Sequence, residues 1–123
     1  MAIVNVALAT NGGTATASST HPTSFYLPSN TIKGSRYLPK WMTLGCGWND
    51  NTQSVWPDWL QVDFNQTYQI DTINVITVQD DLVNPINPTL TTTFTLYGIT
   101  AFDVQYWTGA AWQTVTGGSV AGK

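Results

Sequence analysis

The chain has 123 residues, of which 42% are hydrophobic and only 9% charged, a composition too apolar for disorder and sized for one domain around one core. Its formal net charge of -3 sets up no field that would draw phosphate backbones or anionic lipid headgroups, so neither nucleic acid nor a membrane surface is an expected partner. The single Cys46 excludes an intrachain disulfide, and together with the single His21 it is too little for a four-ligand zinc site.

Every acidic residue is Asp, and Thr, Val, Ile and aromatics are plentiful, so the composition favours strands and turns over helices. Met1 to Ala9 is apolar but broken by Asn5 and has no basic leader. It reads as an edge strand, and if the protein is exported its signal lies outside this sequence. Ser19 to Trp56 follows as a long, irregular, aromatic-rich stretch, the type of segment that carries function in a small domain. Lys33, Arg36 and Lys40 gather there. They read either as a solvated loop or as a local site for a carboxylated or sulfated sugar.

Trp59 to Phe64 alternates, with Leu60, Val62 and Phe64 on one face and Gln61 and Asp63 on the other, which predicts a half-buried strand closed by a turn at Asn65-Gln66-Thr67. Asp63 is expected to cap that turn. In Tyr68 to Gln79 the residues Ile70, Ile73, Val75, Ile76 and Val78 occupy both faces, which predicts a central strand covered on two sides. Asp80 to Thr93, with Pro85 and Pro88, reads as a loop in which Asp80 and Asp81 are solvated carboxylates. Phe102, Val104 and Tyr106 then alternate up to the turn Thr108-Gly109-Ala110, after which Trp112 and Val115 resume. That pattern predicts a hairpin.

Several of these segments, in this order, resemble the discoidin (coagulation factor V/VIII type C) family: Asn5-Val6-Ala7-Leu8 with Ala15-Thr16-Ala17-Ser18-Ser19, then Pro57-Asp58-Trp59-Leu60-Gln61-Val62-Asp63-Phe64, then Ile70-Asp71-Thr72-Ile73-Asn74-Val75, and finally Phe102 to Trp107 with Trp112-Gln113-Thr114-Val115. The resemblance spans nearly the whole chain as a single domain, 1–123. It implies an all-β, antiparallel, jelly-roll-like β-sandwich of the galactose-binding type, non-catalytic, with its ligand held by loops at one end. It is closest to the family 32 carbohydrate-binding modules, which implies a lectin-like glycan binder that is secreted or sits on a cell or virion surface. The family's calcium loop corresponds to Lys33-Gly34-Ser35-Arg36, where a hydroxyl replaces a carboxylate, so no cofactor and no metal is expected.

Within that frame the candidate ligand-binding residues are His21, Phe25, Tyr26, Arg36, Trp48, Asn49, Asp50 and Trp56, which combine aromatic platforms for flat sugar faces with planar polar groups for hydroxyls. Trp41, Trp59, Trp107 and Trp112 are expected to pack inside. Two other classes compete. An enzyme would need the Gly117-Gly118-Ser119-Val120-Ala121 run to be a nucleophile elbow, but it lacks the final Gly and the strand-to-helix context, and no motif pairs two Asp for glycoside hydrolysis. An assembly protein, such as a virion or surface-layer component, is favoured by the end of the chain at Lys123, where the family continues with further strands. The expected consequence is pairing with another copy or with a strand-donating partner.

Overall fold

A computed structural model of the chain describes residues 3–37, 45 and 47–123; Met1, Ala2, Lys40, Trp41 and Cys46, all invoked above, lie outside the described residues. Apart from two short 3-10 turns, Ala9–Asn11 and Pro28–Ile32, the regular structure is β: β1 (Thr14–Ala17), β2 (Leu60–Asp63), β3 (Phe102–Trp107) and β4 (Trp112–Val120). They form two antiparallel pairs, β1 with β2 and β3 with β4.

The opening segment is not a strand among the described residues. The Asn5 side chain accepts the Ala7 N–H (3.1 Å) while Asn11 Nδ2 donates to the Asn5 carbonyl (2.9 Å), and such local bonds compete with a ladder. The chain therefore turns at Leu8, whose carbonyl accepts from Asn11 and Gly13. Gly13 is required there, since a Cβ at this position would overlap the Ala7 carbonyl. The first strand begins at Thr14 instead, pairing Thr14 with Asp63 and Ala17 with Leu60. Ser18 extends this contact by donating its N–H to the Trp59 carbonyl at 2.9 Å.

The predicted hairpin forms. Trp107 pairs with Trp112, and Thr108 closes the turn: its N–H and Oγ1 both donate to the Ala111 carbonyl (2.9 and 3.0 Å) while Oγ1 accepts from Ala111 N (3.0 Å). Gly109 adopts φ 97°, which the turn needs and an L side chain resists. A bulge falls between Asp103 and Gln105, which pair with Ser119 and Thr114. The surplus residues on β4 include Gly117 at φ 74° and a buried Gly118, where a Cβ would press on Val115 and on the Val104 carbonyl.

The 68–79 segment corrects the sequence expectation: it forms no strand, and Ile70, Ile73, Val75 and Ile76 are exposed. Side chains bind backbone where a ladder was expected. Thr77 Oγ1 accepts from Ile99 N (2.8 Å), the Gln79 amide both donates to and accepts from the Ile86 backbone, and Asp80 accepts the amides of Thr95 and Leu96 (2.9 and 3.0 Å). The tryptophans expected inside are also half-exposed: Trp59 at 51%, Trp107 at 54% and Trp112 at 48%. Among the described residues the sheets have two strands each.

The buried centre lies around the Pro28–Ile32 turn, where Tyr26, Asn30 and Ile32 are enclosed and which packs on β1. Asn30 holds it together. Its Nδ2 donates to the carbonyls of Phe25 (2.7 Å) and Gly47 (3.0 Å), and its Oδ1 accepts from Lys33 Nζ (2.6 Å). Gly45, at φ 60°, passes so close to the Phe25 carbonyl and the Asn30 amide that a side chain there would meet them.

Candidate functional site

The chain on either side of Tyr26 is stitched to the 47–59 loop by hydrogen bonds. His21 N–H donates to the Asn49 carbonyl (2.8 Å), Asn49 N–H donates to the Tyr26 carbonyl (3.4 Å), and Trp48 Nε1 donates to the Ser19 carbonyl (2.9 Å). Ser19 Oγ accepts from Asn51 N (2.9 Å). Seven of the eight candidate residues lie on this loop pair, His21, Phe25 and Tyr26 on one arm and Trp48, Asn49, Asp50 and Trp56 on the other, and of these His21, Tyr26, Trp48 and Asn49 take part in the bonds between the arms.

Each of these side chains has a definite disposition. His21 Nδ1 accepts the Thr23 N–H (3.3 Å) and lies 3.1 Å from Thr23 Oγ1, so in the neutral ring the proton sits on Nε2, which becomes the donor. The His21 ring meets Tyr26 edge-on, centroids 5.2 Å apart and planes at 89°. Tyr26 is only 9% exposed, which corrects the expectation that it offers a stacking face: its ring supports His21 from below. Trp48 is half-buried and its indole N–H is already committed to Ser19, leaving part of its surface outward. Phe25 is 44% exposed and Trp56 79%, so they carry the open aromatic area of this region.

The far side of the loop is set by hydroxyls and carboxylates. Asp50 Oδ2 accepts from Thr52 N (2.8 Å) in a side-chain turn, and the Thr52 hydroxyl lies 3.1 Å from both Asp50 Oδ2 and Asp58 Oδ1. Ser18 Oγ donates to Asp58 Oδ1 (3.0 Å) and accepts from Trp59 N (3.1 Å), anchoring the loop to the end of β1. Asp63 does not cap its turn: both carboxylate oxygens accept from Gln61 Nε2 (2.9 and 3.1 Å), while Asn65 Oδ1 accepts from the Tyr68 hydroxyl (2.6 Å).

Arg36 stands apart from this group. Its Nε donates to Asn87 Oδ1 (3.0 Å), and it borders a cleft of about 320 Å³ with Asn74, Val75, Ile76 and the 88–90 segment, which none of the other seven candidates lines. Among the described residues no three His, Cys, Asp or Glu side chains are grouped as metal ligands would be. No helix of the described residues is long and apolar enough to cross a membrane.

Sequence reasoning passed over Ser18, Ser19, Asn30, Thr52 and Asp58, which position the loops without offering an aromatic face. The only signal for them was the density of short polar side chains on both arms, and the partners that tie Ser18, Ser19 and Asn30 across the two arms lie 17 to 41 residues away in the chain. Comparison with family models, with curated proteins and with solved structures finds no match to this chain.

Proposed function

We propose that this chain is a non-catalytic carbohydrate-binding domain of the discoidin-like, jelly-roll type, acting outside the cell or on a cell or virion surface and taking its glycan on the loop pair 18–26 and 47–59. One observation carries the reading. His21, Trp48, Asn49 and Asp50 are ordered there by hydrogen bonds to backbone rather than by burial, and the open rings of Phe25 and Trp56 belong to the same two loops. A pyranose needs that combination: flat C–H faces stack on aromatic rings, and hydroxyls are met by a few fixed donors and acceptors. The His21 Nε2–H supplies a donor, and the Asn49 amide and Asp50 carboxylate supply the planar polar groups. A glycan array probed with the intact chain tests it, followed by titration of the best sugar into Trp56→Ala and His21→Ala.

A second reading, an assembly protein whose fold is completed by another chain, is favoured by the amount of surface. The chain presents 8976 Å², whereas a folded monomer of its mass presents about 6,500 Å². Sedimentation over a range of concentrations separates the two, since only the assembly reading requires self-association or a strand-donating partner.

A further inference from the structure

A second cleft, of about 340 Å³, opens between the two sheets, lined by Gln61 and Asp63 from β2 and by Trp107 and Trp112 from the turn end of the β3–β4 hairpin. None of the loop residues proposed above lines it. Its size falls at the lower end of small-molecule sites, roughly 300 to 1,000 Å³.

The two walls differ in chemistry. Trp107 and Trp112 are directly paired across the hairpin, with centroids 5.5 Å apart and planes tilted by 58°. A cross-strand Trp pair steadies a hairpin by itself. That role leaves unexplained why each ring keeps about half its surface open toward a polar strand of the other sheet. At that tilt one flat ligand can stack on only one of the rings, and the other closes the cleft from the side. On the opposite wall Gln61 and Asp63 are two residues apart on one strand and so share a face. Gln61 Nε2 donates to both Asp63 oxygens, at 2.9 and 3.1 Å, which holds the amide against the carboxylate. Their remaining lone pairs are acceptors, and the indole N–H groups are donors.

We infer that this cleft is a second saccharide site, distinct from the loop site, holding one pyranose ring with its C–H face on an indole and adjacent hydroxyls on the Asp63 carboxylate. A methylated ammonium ligand is the other class that aromatic walls and a carboxylate can attract. The sugar is favoured because Asp63 is already met by a neutral amide donor, and because the polar wall is matched to hydroxyls that both donate and accept.

The test uses the intact chain with the methyl β-glycosides of glucose, galactose and mannose at millimolar concentration, read by tryptophan fluorescence and by calorimetry. At least one of them is expected to saturate, with affinity falling tenfold or more in Trp112→Ala and severalfold in Asp63→Asn and Gln61→Ala, and unchanged in Val83→Ala, at an exposed position that lines neither cleft. The β2 variants leave the hairpin intact, so they decide the matter even if Trp112→Ala unfolds it. Binding lost in Trp56→Ala but untouched by the β2 variants overturns the inference while supporting the loop site. Saturation by tetramethylammonium with no response to any of the three sugars overturns it, and so does the absence of any saturable response.

Discussion

Asn30 shows how much one side chain decides in this molecule. It is 5% exposed and bridges the Phe25 and Gly47 carbonyls and the Lys33 ammonium, thereby holding both loops of the proposed site. Asn30→Ala leaves two carbonyls without their donor, and a buried polar group stripped of its partner costs about 1 to 3 kcal/mol. Thr31→Ala removes only an exposed hydroxyl bond to the Pro28 carbonyl and is expected to change stability by less than about 0.5 kcal/mol. Urea denaturation of the two variants checks the contrast, and equal midpoints would contradict it. The sequence made the aromatics conspicuous but not Asn30, because an Asn in a loop looks the same whether its amide faces water or two carbonyls. For the same reason the buried Tyr26 read as a sugar platform. How much of a ring is exposed depends on which distant backbone its neighbours bind, and spacing does not carry that information.

At the scale of elements, what was legible is what is local. The hairpin was readable from alternation and a Thr-Gly-Ala turn because its partners are neighbours in the chain, and of the strand read over Trp59 to Phe64 the four residues Leu60–Asp63 are strand. The 68–79 segment was not, since two-sided apolarity signals a covered strand only if distant neighbours supply a ladder. Here the partners of 77–80 are side-chain contacts to 86 and 95–99. Asp80 is the strongest of these anchors. The Thr95 and Leu96 amides, then the Thr95 hydroxyl and the Tyr97 amide, lower its pKa below the ordinary 3.8 despite an opposing desolvation effect. Asp81 is lowered by the amides of Asn84 and Val83. A carboxyl whose folded pKa lies below its unfolded value stabilises the fold above the unfolded pKa, and the contribution fades as pH falls through the folded one. The 95–97 loop is therefore expected to detach only under acid conditions, below the ordinary carboxylate range. Amide chemical shifts of Thr95 and Leu96 followed by NMR should move together there in the wild type, and Asp80→Asn should abolish that titration. Movement centred near neutrality would contradict the assignment.

For the molecule as a whole, the β character anticipated from composition is present, among the described residues, in four strands and two antiparallel pairs. The sandwich implied by the family resemblance remains part of the proposed reading. A surface some 2,500 Å² larger than the mass predicts exceeds the roughly 800 Å² per partner of an ordinary interface. Exposed apolar residues such as Ile73, Val75, Leu90 and Leu96 make up part of it. The isolated chain is accordingly expected to self-associate at micromolar concentration in sedimentation velocity, and a monomer at every concentration would contradict the assembly reading while leaving glycan binding intact. The central claim concerns the loops, and one calorimetric comparison tests it most directly: titration of the sugar selected by a glycan array into the wild type, Trp56→Ala and a Val83→Ala control. Trp56 is 79% exposed, so its removal should leave the fold unchanged, and losing an aromatic stacking partner worth about 1 kcal/mol should weaken binding about fivefold. The account predicts that loss in Trp56→Ala alone, with all three proteins equally stable; equal affinity in all three, or no sugar bound by the wild type, would contradict it.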